Sequence, residues 1–323
     1  MTITIETSLP HFEQLPENYA ISLSEFGAIS LAGEEQGKYL QGQVTCDVDS
    51  IDEHNLLHGA HCNAKGKTLA AFRLINHSSG YLLLQAKSSI ETSLIELKKF
   101  GVFAKVDIDS ADQLSFFALV GPRAAELIKS HYQQVPDSLN QVIQSGSTTI
   151  VYLAGLKERY LLIDENSQLQ DFITQTELPV FSHQVWNLLE IKEGFPVLPE
   201  TAIGEYVPQM LNLQAINGIS FTKGCYLGQE TVARMQYLGK NKRALYSLTA
   251  DQAEAPSGAV IEQQIGENWR KAGDILKSYR ADNGQSYIQA VLATDLEPGT
   301  PLRLKAQPQT LLSVAQLPYS LTK

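Results

Sequence analysis

The stretch of this chain with the clearest chemical potential is Phe-Thr-Lys-Gly-Cys-Tyr-Leu-Gly-Gln-Glu at residues 221–230. Cys225 follows Lys223 by two residues, and Gly224 and Gly228 bracket it. A thiolate is the nucleophilic form of cysteine, and a nearby ammonium or a helix N-terminus lowers the pKa of a thiol. The pattern predicts either a reactive thiol on an exposed turn, assisted by Lys223 and the following helix, or an inert buried thiol beside a turn.

The residues after this cysteine have helical composition and carry an unusual local charge. Glu230 and Arg234 are four residues apart, the spacing at which two side chains on one helix face form an ion pair. Residues 223–243 hold five basic side chains and one acidic one, although the whole chain has a formal net charge of −10. The basic ones are Lys223, Arg234, Lys240, Lys242 and Arg243. This basic segment favours an anionic ligand or partner, with a solvated charged loop as the alternative.

A second group of reactive side chains lies at residues 54–62. It consists of His54, His58, His61 and Cys62. Histidines four residues apart can bind zinc when they lie on one helix face. Gly59 interrupts the stretch and no second pair of ligands stands nearby, so the pattern predicts a turn entering a strand and no metal site.

Composition excludes several classes of protein. A hydrophobic fraction of 43% and a charged fraction of 19% over 323 residues indicate a soluble globular protein of two or three domains. The net negative charge disfavours extensive direct binding to nucleic acid and to anionic membranes. No apolar run approaches the ~18 residues of a spanning helix, and the N-terminus lacks the features of a signal peptide. Three widely spaced cysteines predict neither a disulfide framework nor an iron–sulfur ligand set, so we expect a cytoplasmic protein.

The order of predicted elements repeats along the chain. Residues 29–41 and 117–129 each show an apolar strand, a glycine and a helix. Residues 80–100 and 159–178 each show a strand and then a helix. Because order and spacing agree twice, the sequence predicts a duplicated α+β unit.

Two further elements complete the prediction. Residues 182–193 have the apolar clustering of a helix, which contains Trp186 and which Gly194 should end. After residue 243 the pattern changes to short, partly alternating strands, and Asn-Gly at residues 283–284 is a strong hairpin signal. A small antiparallel barrel or sandwich is therefore expected at the end of the chain.

The motif KGCYLGQE at residues 223–230, with Arg234 four residues later, resembles the signature of the YgfZ-type folate-binding proteins. The resemblance covers essentially the whole chain. It extends through residues 39–48, 61–74, 193–197, 212–221, 266–273 and 317–321.

This resemblance implies the fold of the glycine-cleavage aminomethyltransferase, or T-protein. The expected fold class is α+β, with duplicated ferredoxin-like halves forming a folate-binding region and a small C-terminal antiparallel β-barrel. The expected domains are residues 1–243, with internal halves of roughly 20–112 and 113–200, and residues 244–323 for the barrel.

The resemblance also implies a function and partners. Members of the family are associated with folate, with maturation or repair of iron–sulfur enzymes and, through tRNA-thiolating enzymes, with tRNA modification. The expected cofactor is tetrahydrofolate or a folate derivative. The motif cysteine is important in this family, a role that falls on Cys225, with Lys223 beside it.

The folate contacts implied by the resemblance include two tryptophans of the family. One matches Trp186, and the other falls at Phe26, where stacking on a pterin would survive but an indole hydrogen bond would not. Tyr226, Glu230 and Arg234 of the motif are further candidates for contacts with folate.

Two alternative functions stay open at this point. The T-protein has an aspartate where this motif has Cys225, so aminomethyl transfer does not follow from the shared fold. The protein is then either a support factor with a reactive thiol, a folate-dependent one-carbon transferase of the aminomethyl type, or a non-catalytic adaptor that senses folate.

Overall fold

The computed structural model describes residues 3–239, 241–297 and 299–321. The strands are β1 Ile5–Glu6, β2 Tyr19–Ser22, β3 Phe26–Ala32, β4 Leu57–Cys62, β5 Thr68–His77, β6 Gly80–Ala86, β7 Asp107–Ser110, β8 Leu114–Val120, β9 Val142–Ser145, β10 Thr148–Leu153, β11 Arg159–Glu165, β12 Val180–Phe181, β13 Arg243–Asp251, β14 Val260–Ile265, β15 Asn268–Arg280, β16 Gln285–Ala293, β17 Leu302–Leu304 and β18 Gln307–Ala315. The helices are α1 Gln36–Gln41, α2 Lys87–Gly101, α3 Pro122–Tyr132, α4 Asn166–Gln175, α5 His183–Glu193 and α6 Gln229–Tyr237. Within this part of the chain, no helix combines the length and the apolar character needed to cross a membrane.

The first two sheets repeat one arrangement. The five-stranded sheet has the order β4-β5-β6-β3-β7, and the seven-stranded sheet has the order β9-β10-β11-β8-β2-β12-β1. Apart from β2 and β1, the second sheet repeats the first strand for strand, with α1 and α2 matched by α3 and α4. Each unit is a ferredoxin-like βαββαβ arrangement with one extra edge strand, β4 or β9. The predicted duplicated α+β fold is confirmed.

Glycines stand at the strand–helix junctions where the repeat predicted them. Gly33 follows β3 with φ of +139°, and Gly121 follows β8 with φ of +102°. A Cβ atom at Gly33 would meet the carbonyl oxygen of Lys105, and one at Gly121 would meet that of Glu17. Only a residue without a side chain fits such a close approach of two backbones.

Two strands of the second sheet, β1 and β2, were not predicted from the repeat, and β2 is the more deeply buried of the two. β2 lies between β8, to which it is antiparallel, and β12, to which it is parallel. Its residues Tyr19, Ala20 and Ile21 are fully buried. The N-terminal segment thus enters the sheet of the second half before the chain builds the first half.

Helix α5 lies at the centre of the molecule. Eight of its eleven residues are buried, which is typical of a helix enclosed on all sides. It packs against β2 and against β15 and β16 of the C-terminal strands. It ends at Gly194, which adopts φ of +70°, as the sequence predicted.

The C-terminal strands close into a barrel in the order β13-β16-β15-β14-β17-β18, with β18 pairing back to β13. The predicted Asn-Gly turn joins β15 to β16, and Gly284 there has φ of +90°. Closure gives every described strand of the barrel a neighbour on both sides. The α+β class with a C-terminal antiparallel β-barrel is therefore confirmed.

Candidate functional site

The cysteine motif is docked onto the first half of the molecule. The Lys223 ammonium donates hydrogen bonds to the carbonyl oxygens of Val44, at 2.9 Å, and Cys46, at 2.6 Å. The backbone N–H of Leu227 donates to the carbonyl of Gly42 at 3.0 Å. The motif and the segment at residues 39–48, which both resemble the same family and are far apart in the sequence, therefore form one structural unit.

The second glycine of the motif makes a close backbone contact. Gly228 has φ of +82°, and a Cβ atom there would lie 2.5 Å from the carbonyl oxygen of Asn63 and 2.7 Å from Cα of Gly66. Gly224, the first glycine, has nothing within 4 Å of the corresponding position. The two glycines of one motif thus have different roles, since only Gly228 is required for packing.

We expect Gly228→Ala to destabilise the protein by about 1–3 kcal/mol, because a left-handed backbone and a steric conflict are both imposed on alanine. Gly224→Ala is the matched control and should change the free energy of unfolding by less than about 0.5 kcal/mol. Denaturant unfolding of the two variants beside the wild type measures both effects. Equal stability of the two variants would refute the packing role of Gly228.

Cys225 lies in an exposed loop, four residues before the first residue of α6. Its thiol has no hydrogen-bond partner among the described residues. The other two cysteines, Cys46 and Cys62, are buried, and burial raises the pKa of each to about 12. Cys225 is thus exposed, as predicted, in an irregular loop rather than in a defined turn, and it is the accessible thiol of the three.

The surroundings of Cys225 give Lys223 a structural role. Burial lowers the pKa of Lys223 to about 8, and its ammonium is held by the two carbonyls named above. Within the described residues no hydrogen bond joins it to the Cys225 thiol. Tyr226 is buried, and its ring lies 5.3 Å from the ammonium. The assistance of Lys223 to the thiol stays a prediction.

The charged side chains after the motif are only partly free. Arg234 donates to Glu230 at 2.6 Å on the exposed face of α6, which confirms the predicted ion pair. Lys242 and Arg243 are exposed, and Lys240 lies outside the described residues. Among the described residues of this segment, Lys242 and Arg243 are the exposed basic side chains that have no ion-pair partner.

Three cavities lie along α5, away from the motif. We call them the central cavity, of about 330 Å³, the inner cavity, of about 20 Å³, and the outer cleft, of about 430 Å³. The central cavity lies near the C-terminal end of α5 and takes side chains from both halves and from the C-terminal segment. Its polar and aromatic lining includes His58, Arg73, Arg159, Glu193, Phe195 and Tyr319.

A buried ionic network forms one wall of the central cavity. Arg73 donates two hydrogen bonds of 3.0 Å to the two carboxylate oxygens of Glu190. Arg159 donates to Glu190 at 2.9 Å and also to Glu193. Arg73, Arg159 and Glu190 are at most 3% exposed, so each charge depends on the others for compensation.

Part of this network has no partner within the protein. Arg159 Nε and Nη1 and Glu193 Oε1 are buried without a hydrogen-bond partner among the described residues. Burial raises the pKa of Glu193, although the Arg159 guanidinium and the backbone N–H of Leu156, which reaches the Glu193 carboxylate, oppose that shift. An unused donor and an unused acceptor on two residues that line the same cavity can recognise a ligand edge that carries both an acceptor and donors.

The two predicted aromatic residues lie one layer behind the central cavity. Phe26 and Trp186 meet edge to face, with ring centroids 5.7 Å apart, and both line the inner cavity. The Arg159 guanidinium lies 4.4 Å from the Trp186 ring. Trp186 is 2% exposed, so its direct stacking on a pterin stays a prediction.

The histidine stretch forms strand β4 and not a helix. His58 Nδ1 lies 3.2 Å from the carbonyl of Ile216, which can only accept, so Nδ1 carries the proton. Burial lowers the pKa of His58 to about 4, which keeps the ring neutral. In the described ranges, no group of three or more His, Cys, Asp or Glu side chains is placed to hold a metal ion.

The residues of the ionic network were not predicted from the sequence. A signal was present, because Arg73 interrupts the apolar run Thr-Leu-Ala-Ala-Phe-Arg-Leu-Ile and Glu190 interrupts Val-Trp-Asn-Leu-Leu-Glu-Ile. A charge inside an apolar element is buried and needs a partner. The sequence does not say which partner, because that depends on the packing of the two halves.

Comparison with known proteins adds both relatives and a shared fold. The chain is 62% identical over 323 residues to the tRNA-modifying protein YgfZ of Colwellia psychrerythraea, covering 99% of each protein. It is 42% identical over 312 residues to the protein of the same name from Vibrio vulnificus, covering 96% of this chain and 94% of that one. Residues 241–307 match the family model described as YgfZ, beta-barrel domain. The structure matches the glycine cleavage system aminomethyltransferase T of Bartonella henselae with a TM-score of 0.72 at 14% identity, covering 95% of this chain and 87% of that one.

Proposed function

This chain belongs to the YgfZ family, and from that premise we propose that it is a cytoplasmic folate-binding protein that supports tRNA modification. Its relatives at 62% and 42% identity are named tRNA-modifying proteins. Its role is the maturation or repair of iron–sulfur enzymes, among them the enzymes that thiolate tRNA. This role fits a protein with a ligand cavity in its interior and an accessible thiol on its surface.

The ligand of the central cavity is tetrahydrofolate or a folate derivative. The observation that carries this assignment is the unpartnered pair formed by Arg159 Nη1 and Glu193 Oε1. One edge of a reduced pterin offers a carbonyl acceptor beside N–H donors, which matches a guanidinium donor beside a carboxylate acceptor. A volume of about 330 Å³ also lies within the usual range of small-molecule sites.

The aromatic residues act around this cavity. Phe195 and Tyr319 line it and offer ring surfaces to a planar ligand. Arg159 lies between the Trp186 indole and the cavity, so Trp186 responds to the ligand indirectly, through Arg159. Ligand binding that moves Arg159 should therefore change the fluorescence of Trp186. Phe26 supports Trp186 from the other side.

Cys225 acts at a second place on the molecule. None of Lys223, Cys225, Tyr226, Glu230 and Arg234 is in the lining of the central cavity. We therefore assign the thiol to a reaction with a partner protein and give Tyr226 a packing role. The exposed charges of Lys242 and Arg243, near in sequence, suit an acidic partner surface.

Isothermal titration with tetrahydrofolate tests the ligand assignment. Glu193→Gln should weaken binding at least about tenfold, because an amide in place of the carboxylate removes a charge-assisted acceptor. Glu126→Gln, at an exposed position on α3, is the matched control and should bind as the wild type does. Equal affinity of the two variants, or no binding by the wild type, would refute the assignment.

The pH dependence of the same titration gives an independent test. Because the pKa of Glu193 is raised, its carboxylate becomes protonated at a higher pH than an ordinary glutamate. The acceptor is then lost as the pH falls, so wild-type affinity should decrease on acidification while that of Glu193→Gln changes less. His58, with a pKa of about 4, stays neutral and does not contribute over the neutral range.

A further inference from the structure

The outer cleft opens beside the N-terminal end of α5, at the opposite end from the central cavity. His183 and Asn187, from the first two turns of α5, line both the outer cleft and the inner cavity. Phe195, just after α5, lines both the inner cavity and the central cavity. The three cavities thus form a series along one helix, with the smallest in the middle.

The inner cavity is lined by buried polar side chains that make few hydrogen bonds. Both amide atoms of Gln85 have no hydrogen-bond partner among the described residues, while Asn187 and His183, four residues apart on α5, interact with each other through their side chains. These side chains are 1%, 3% and 7% exposed. A cavity of about 20 Å³ has room for one small polar group. Buried polar atoms are costly unless they are paired, so this position is built to receive such a group.

The outer cleft carries groups that suit an anion. Lys87 is exposed and has no ion-pair partner among the described residues. It begins the fifteen-residue helix α2, which has no side-chain cap, although the backbone N–H of Lys87 donates to the carbonyl of Glu25 at 2.9 Å. Lys277 also lines the cleft and pairs with Glu25 at 3.6 Å. A helix N-terminus with a nearby ammonium attracts a carboxylate or phosphate. The exposed acid Glu200 and the acid Glu25 line the cleft as well, so the cleft holds two acids beside its two lysines.

We propose that the outer cleft binds a second small molecule, one with an anionic end and an uncharged polar head of the carbonyl or amide type. The anionic end lies beside Lys87 and the N-terminus of α2. The polar head reaches Gln85 and Asn187 in the inner cavity. Folate and the second molecule then approach from opposite ends of α5 and are bound at the same time, a conclusion that rests on the proposed function for its folate side.

Variants that fill the cleft without touching the central cavity test this inference. Thr201→Phe and Ser257→Phe introduce a bulky ring at exposed lining positions, and Lys87→Glu reverses the charge at an exposed side chain. Glu267→Phe, on an exposed turn of the barrel, is the matched control. Titration gives the dissociation constant for tetrahydrofolate, and mass spectrometry of tRNA from a null strain gives the level of thiolation that each variant restores.

The cleft variants should bind tetrahydrofolate within twofold of the wild type and restore no more than a tenth of the thiolated tRNA. The control should match the wild type in both measurements. A tenfold loss of tetrahydrofolate affinity in the cleft variants would show that the cleft is part of the folate site. Full restoration of thiolated tRNA by all three variants would show that the cleft binds no ligand that the function needs. Either result overturns the inference.

Two further comparisons separate the possible causes of a loss of thiolation. Thermal unfolding separates a blocked cleft from a misfolded protein, and Lys87→Glu changes no buried group. Failure of the wild type to bind tetrahydrofolate would refute the proposed function, whereas the thiolation measured for the cleft variants still tests the second site.

Discussion

Replacing Glu190 with glutamine should lower the free energy of unfolding by about 3–5 kcal/mol, the largest stability effect that we expect for a single isosteric change in this protein. Glu190 accepts hydrogen bonds from both Arg73 and Arg159, and it is 2% exposed. Its neutralisation leaves two buried guanidinium groups with one remaining carboxylate, that of Glu193. Denaturant unfolding, followed by far-ultraviolet circular dichroism, measures the loss.

The matched control for this prediction is Glu230→Gln. That carboxylate also pairs with an arginine, but its side chain is 84% exposed, and surface ion pairs contribute less than about 1 kcal/mol. If the two substitutions lower the free energy of unfolding equally, the buried network contributes no more to stability than a surface ion pair does. A large loss of stability in Glu190→Gln, together with an unchanged unfolding midpoint in Glu230→Gln, supports the stabilising role of the buried network.

The largest functional effect should come from Cys225→Ala. We expect this variant to fold with an unchanged unfolding midpoint, because the thiol is exposed and has no partner among the described residues. We also expect it to restore no more than about a tenth of the thiolated tRNA in a null strain, because an alanine cannot supply a thiolate. Cys225→Ser should fail equally, since a hydroxyl is a far weaker nucleophile at neutral pH.

Thr222→Ala is the control, an exposed position three residues earlier in the same loop. It should restore thiolation fully. Full restoration by Cys225→Ala, with tetrahydrofolate binding intact, would favour the adaptor alternative over a reactive thiol. Turnover of an aminomethyl donor with tetrahydrofolate would instead favour the one-carbon transferase.

Much of the fold follows from local sequence patterns. The strand–glycine–helix repeats predicted β3 with α1 and β8 with α3, because apolar runs and glycine junctions are local signals. The end of α5 at Gly194 and the barrel hairpin at residues 283–284 were predicted for the same reason. β2 was not assigned to the second sheet, because strand partners are set by long-range packing and not by the strand itself.

The site was predicted less completely. The exposure of Cys225 and the pairing of Glu230 with Arg234 followed from glycine content and helical spacing. The network of buried charges did not, since its members come from separate elements that only the tertiary fold brings together. The position of Arg159 over Trp186 also depends on the tertiary fold. Because Arg159 covers the indole, we propose that the ligand binds in the central cavity and not directly on Trp186.

A crystal structure of the protein grown with tetrahydrofolate tests the central claim most directly. Our account predicts a pterin in the central cavity, with its donor and acceptor edge within about 3 Å of Glu193 Oε1 and Arg159 Nη1. Trp186 should remain behind Arg159, and the outer cleft should remain free of folate. A pterin bound in the outer cleft beside Lys87, or on the surface at Cys225, with the central cavity unchanged, would contradict the account.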